Sequence, residues 1–197
     1  MSMPRRHRFP EIPQGRHKPA RPGLQFGCVT RLRRIADHDR IFFVTTNLQP
    51  NTAAFTPPER HLLLKQLARQ HDAAEFQLFA YVVMPTHVHF LFAPQRAGLI
   101  SIMREFKSRT GQQLTTARGV KGALWQPRYF DFVLRKVGDF WDKLEYIHQN
   151  PVEAQLVEAP DSWPWSSAAH YDRKDSIPVP VDEIDLPGDR RAWLRTL

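Results

Sequence analysis

Apolar and polar positions switch between two periods along this chain, and the switches mark out its elements. Ile41-Phe42-Phe43-Val44-Thr45-Thr46 is β-branched and aromatic, which predicts a first strand. Pro57-Pro58-Glu59-Arg60 opens a helix, since a first turn needs no proline N–H, and Leu62, Leu63, Leu64 and Leu67 give it an apolar stripe. Phe76 to Met84 reads as a second strand, Pro85-Thr86 as a turn and His87 to Ala93 as a third strand closing a hairpin. From Leu99 to about Ala117, Ile102, Phe106 and Leu114 recur at helical spacing. Leu124 to Leu134 is expected as a fourth strand, with Phe130, Phe132 and Leu134 alternating. Val137 to Gln149 is a third helix that Asn150-Pro151 should stop. The order β-α-β-β-α-β plus a helix is the split βαβ, ferredoxin-like arrangement. It implies an α+β domain whose antiparallel sheet carries helices on one face and leaves the other free for function.

A chain of 197 residues with 42% apolar side chains fits one domain with tails. A single cysteine, Cys28, excludes an internal disulfide framework and multi-cysteine zinc sites. Neither a membrane-spanning apolar run nor a secretory leader is visible, so a cytoplasmic protein is expected. The formal charge of +8 is unevenly spread. Residues 1–40 hold ten basic and three acidic side chains, and residues 101–136 hold eight and two. Residues 137–197 reverse the balance, with six basic and twelve acidic. Two basic blocks around a nearly neutral one could wrap a polyanion, gaining from counterion release, although charge placed for solubility would also read this way.

His87 and His89 stand two apart in the third strand, so both point to one side while Val88, Phe90 and Phe92 point to the core. Two imidazoles about 7 Å apart at the backbone can converge on one divalent ion. Cross-strand hydrogen bonding is the alternative. Known two-histidine strands narrow the chemistry. Amidohydrolases need a barrel of about 250 residues. Metallo-β-lactamase-like sites place Asp where this chain has Leu91, zinc deaminases need a cysteine pair, and His-Glu-x-x-His is absent.

On the third helix Val137, Phe140, Trp141, Leu144 and Ile147 form one apolar arc. Tyr146 and Asn150 fall off that arc, about 40° apart, with Lys143 and Asp139 on their side. A tyrosine not needed for packing, with an amide one turn on, is a candidate functional group. A tyrosine resting half-exposed against the sheet is the plainer reading, and Tyr129 on the fourth strand is a competitor.

These residues sit in segments that resemble the single-tyrosine HUH transposases (the HUH endonucleases), and among them the REP-associated tyrosine transposases. The segments are MPTHVHFLF at 84–92, REFKSRTGQQL at 104–114, LWQPRYFDFVLR at 124–135, YIHQNPVEAQLV at 146–157 and WPWSSAAHY at 163–171. The resemblance implies that His87 and His89 are metal ligands, that Asn150 completes the site and that Tyr146 is the nucleophile. One segment departs from the pattern: Ile41 to Asn47 replaces the Tyr-His and Arg common on the family's first strand. The implied organisation is a basic flexible arm at 1–25, an HUH transposase-like catalytic domain at 26–171 and a loosely packed acidic tail at 172–197.

The implied reaction is transesterification on single-stranded DNA with Mg²⁺ or Mn²⁺. Tyr146 attacks a phosphodiester, giving a 5′-phosphotyrosine and a free 3′-OH. The implied partner is a palindromic repeat hairpin flanked by a short guide, handled by a monomer near the nucleoid. Arg104, Lys107 and Arg109 are expected to grip phosphates, with Arg128, Arg135 and Lys136 lining the same groove. Arg5, Arg6, Arg8, Arg16, Lys18 and Arg21 of the arm could reach the hairpin foot. Trp125 and Phe130 are possible base-stacking residues, though strand aromatics are usually core. The rival readings are a ferredoxin-like module that binds nucleic acid without cutting it, a metal-dependent hydrolase with no covalent step, and a degenerate transposase kept as a DNA-binding regulator.

Overall fold

The computed structural model describes residues 40–173 and 175–184; the arm at 1–25 lies outside the described residues. β1 spans Phe42–Asn47 and α1 spans Pro57–Asp72. Glu59 Oε2 accepts from the Thr56 N–H at 2.8 Å, capping α1 where its prolines leave the first turn short of donors. β2 (Phe76–Val83) and β3 (His87–Pro94) form the hairpin. α2 (Leu99–Arg118) ends at Gly119, whose φ of 64° suits a residue without a Cβ. β4 (Phe130–Val133) and α3 (Val137–Glu153) follow, then a short α4 (Ala168–Arg173). The sheet runs β2-β3-β1-β4, antiparallel throughout, as the ferredoxin-like order requires.

Two apolar clusters lie on opposite faces. Val44, Tyr81, Val83, Val88, Phe90 and Phe92 meet Leu63, Leu64 and Leu67 of α1 and Ile102, Met103, Phe106 and Leu114 of α2. Ile41, Phe43, Phe79, Ala80, Val82, Leu91 and Ala93 meet Phe140, Leu144 and Ile147 of α3 and Trp163. The α1–α2 pair thus covers one face as expected, but the other is not free. Its apolar residues and the arc of α3 each need a partner, and they supply one another.

Three other expectations are corrected. β4 is four residues long, because Pro127 cannot donate to a ladder and Trp125 turns into the core. The preceding stretch is held by a single bridge, Leu48 to Trp125. α3 does not stop at Asn150: Pro151 gives up a bond to the carbonyl four residues back, but the Ala154 N–H still reaches Asn150 O at 3.0 Å. Part of the supposed loose tail is docked. Val179 is buried with its N–H on Tyr81 Oη, and Asp182 accepts from the Leu78 N–H at 2.7 Å and from His71 Nε2 at 2.9 Å. Residues 165–167 also pair along β2, through Val83 N–H to Trp165 O and Ser167 N–H to Tyr81 O, so that edge is covered.

Candidate active site

β3 places the histidines and β1 supports them. The register sets His87 opposite Asn47 and His89 opposite Thr45. Thr45 Oγ1 lies 2.8 Å from His89 Nδ1, a partner that can hold the ring with its proton on Nδ1 and its lone pair on Nε2. That Nε2 is buried and meets no hydrogen-bonding partner. Phe43 stacks on the ring, 5.5 Å away and tilted by 20°. The two imidazoles are 4.7 Å apart between ring centroids. His87 Nδ1 faces Thr86 Oγ1 at 3.3 Å.

α3 brings the other side. The Tyr146 ring stands edge-on to His89 at 5.3 Å and to Phe43 at 5.7 Å. Asn150 is buried one turn on; its Nδ2 donates to Tyr146 O at 3.3 Å, which leaves Oδ1 as the oxygen available to a cation. Of the four tyrosines, Tyr146 is the one in ring contact with the His87–His89 pair, through His89. Tyr81 is sealed in the opposite core, Tyr129 packs on that same face beneath Lys107, and Tyr171 donates to Phe79 O.

Burial pushes both imidazoles toward the neutral form. His87 falls below its ordinary value through desolvation, opposed by the Asn150 amide. His89 falls well below it through burial and then the nearby His87, with Asn150 opposing and Lys143 adding a little. Neutral imidazoles are the metal-binding form. An orphaned, buried Nε2, a second neutral imidazole and an amide oxygen fit a divalent ion that accepts mixed nitrogen and oxygen ligands. Among the described residues no group of three or more His, Cys, Asp or Glu side chains could hold a metal, so the two histidines would need an oxygen from elsewhere, such as the Asn150 amide.

The cations expected to grip phosphates are scattered. Arg104 and Arg109 are exposed on α2, across the sheet from the histidines, and Arg109 pairs with Glu105 at 2.6 Å. Lys107 is spent inside the fold: its Nζ donates to Gln126 O at 2.7 Å and Pro127 O at 3.0 Å, tethering the approach to β4. Arg128 is exposed before β4; Arg135 and Lys136 are exposed at the start of α3, their N–H groups capped by Asp139. Trp125 is core, with Nε1 on Thr110 Oγ1, whereas Phe130 is 49% exposed on the histidine side. Arg5, Arg6, Arg8, Arg16, Lys18 and Arg21 lie outside the described residues. Sequence reasoning missed Phe43, Thr45 and Phe132; it set Lys143 beside Tyr146, as found, but not over the rings of Phe43 and Phe132. Only the cross-strand register, which the sequence does not print, assigns Thr45 to His89.

The fold and this cleft define the class, a ferredoxin-like α+β domain with paired histidines under a helix-borne tyrosine. The chain belongs to the IS200-like transposase family, whose model matches residues 40–150. It is similar to the "REP-associated tyrosine transposase" of Escherichia coli (strain K12), 28% identical over 128 residues, 64% of this chain and 74% of that one. A relative from Haemophilus influenzae is 24% identical over 177 residues, 82% of this chain and 99% of its own length. Among solved structures, that of a REP-associated tyrosine transposase bound to a REP hairpin matches with a TM-score of 0.60 and 25% identity, covering 79% of this chain and 93% of that one.

Proposed function

We propose that this chain nicks and rejoins single-stranded DNA at repeat hairpins by metal-dependent transesterification, with Tyr146 as nucleophile. The observation that carries the reading is the Tyr146 ring lying against His89, whose buried Nε2 makes no full hydrogen bond, although the Asn150 amide is near enough to favour the charged ring. A tyrosine and a neutral two-imidazole site in contact suit phosphoryl transfer, where nucleophile and charge stabilisation must meet at one phosphate. The hairpin substrate rests on likeness to the relative solved with a REP hairpin.

His87, His89 and the Asn150 oxygen would hold Mg²⁺ or Mn²⁺, which when bound offsets charge on the scissile phosphate. The chain's own residues do the rest. Thr45 orients His89, and Phe43 fixes the plane of its ring. α3 carries Tyr146 and Asn150 together, so any shift of this helix moves the nucleophile and one ligand as a unit. The Tyr146 oxygen attacks phosphorus and loses its proton; the bond to the 3′ oxygen breaks, giving a 5′-phosphotyrosine and a 3′-OH. A second 3′-OH attacking the phosphotyrosine reverses the exchange, and no nucleotide triphosphate is consumed.

The histidines and Tyr146 come from one chain, and the β2 edge is covered, which supports a site that works in a monomer. Arg128, Arg135, Lys136 and the 1–25 arm would supply phosphate contacts near the nucleoid. No described helix is long and apolar enough to cross a membrane.

The test exposes the protein to pooled hairpin-bearing single-stranded DNA with Mn²⁺ or Mg²⁺. The expected result is a denaturation-resistant adduct that needs the metal and maps to Tyr146 by mass spectrometry. Cleavage without an adduct would replace this reading with a hydrolase. Retention without cleavage would replace it with a binding module.

A further inference from the structure

We infer that Phe130 and Phe132, with Lys143, form a subsite that stacks an unpaired nucleobase beside the scissile phosphate; this rests on the proposed single-stranded DNA substrate. The exposed large apolar side chains among the described residues include three aromatics, Phe130 at 49%, Phe132 at 40% and Tyr146 at 41%. All three gather at the histidine cleft. Phe130 pairs with Thr45 and Phe132 with Phe43 across the β1–β4 ladder, so both rings leave the sheet on the side of His89. They stand two apart on a strand, about 7 Å between Cα atoms, twice the spacing of stacked bases. Phe43 joins them to the nucleophile, with ring centroids 6.3 Å from Phe130 and 5.7 Å from Tyr146.

A cation completes the surface. Lys143 Nζ lies over three rings at once, 5.0 Å from Phe43, 5.5 Å from Phe132 and 5.6 Å from Tyr146. It makes the platform amphipathic: rings for a base and an ammonium for its phosphate. The occupant that matches both is a nucleotide whose base is unpaired and unstacked, since a base inside a duplex has both ring faces covered by its neighbours. An apolar protein segment would use the rings but leave Lys143 without a counter-charge. A hairpin strand entering the cleft would set down one base here while the adjoining phosphate meets Tyr146. This assigns β4, the shortest strand of the sheet, a part in substrate positioning.

The test compares two probes of equal charge and length, a twelve-residue oligothymidylate and a twelve-residue abasic backbone, by fluorescence anisotropy at low salt with the full chain. The unaltered protein should bind oligothymidylate roughly ten- to a hundredfold more tightly than the abasic probe. Phe130→Ala/Phe132→Ala should erase that preference while binding the abasic probe as before, and Phe132→Trp alone should keep it. Equal loss on both probes, or an undiminished preference, would overturn the inference. So would a variant that turns a dimer into a monomer in sedimentation, because the rings would then serve a second copy. The double variant's thermal unfolding is read alongside, and Phe132→Trp holds the claim open to test if the double variant unfolds early. Because this assay involves no cleavage, failure of the Tyr146 adduct and failure of the stacking subsite are separable.

Discussion

The two faces of the sheet do different work with the same strands. Under α1 and α2 the residues that leave β3, Val88, Phe90 and Phe92, meet a continuous apolar layer. Under α3 the alternate residues of β3 begin as Ala93 and Leu91 in the apolar cluster and end as His89 and His87. Packing on this second face therefore stops partway along the strand, and the histidines, Asn150 and Tyr146 occupy the place where it stops. Period-2 alternation thus lets one strand fill a core on one side and present a pair of imidazoles on the other. Burial is the shared resource. It seals the first core, and on the second face the same desolvation keeps two imidazoles neutral.

This contrast can be broken first at Tyr146. Tyr146→Phe should abolish covalent capture of DNA, a loss beyond about a thousandfold, with little change in unfolding temperature because one hydroxyl is removed from a residue already 41% exposed. Phe106→Ala is the mirror case. It opens a cavity between Phe90 and Trp125 and should cost about 3–5 kcal/mol in denaturant unfolding, yet leave Mn²⁺ affinity of the folded protein unchanged. Thr45→Val, on the second face, removes the partner of His89 Nδ1. Isothermal titration should find Mn²⁺ binding weakened by about ten- to a hundredfold with the fold intact.

A smaller effect separates the faces by pH. Glu59 bridges to Arg118 at 2.6 Å beside the first core, and this hydrogen bond holds its carboxyl at about 2 against an ordinary 4.5. Its stabilisation is whole above about pH 4.5 and is lost as pH falls toward 2. The histidines act in the same direction but at higher pH. Both are depressed below 6.5, so on acidification the unfolded chain takes up protons first, and stability falls from about pH 6.5 downward. Denaturation at a series of pH values should show both windows. Glu59→Gln should flatten the lower one, at a cost of about 2 kcal/mol near neutrality. His87→Asn/His89→Asn should flatten the upper one.

Much of this was legible in the sequence, for identifiable reasons. Alternation put His87 and His89 on one side of β3, and the helical wheel put Tyr146 and Asn150 together off the apolar arc; both are local periodicities. What α3 packs against was not legible, because the arc of Phe140, Leu144 and Ile147 says that a face is buried but not beneath what. Thr45 needed the strand register. Lys107 looked like a free cation because a sequence does not reveal that carbonyls of Gln126 and Pro127 lie within its reach. Pro151 misled as a helix stop because a last turn can lose one bond and still close through Asn150 O.

The central claim is that the cleft exchanges phosphodiesters through a protein-bound intermediate. The most direct measurement isolates the protein–DNA adduct, removes free DNA, and adds a fresh labelled strand ending in 3′-OH with Mn²⁺ and no nucleotide triphosphate. The account predicts that the label appears in a joined strand and that Tyr146 is regenerated. Release of DNA with a 5′-phosphate and no joined product would contradict it.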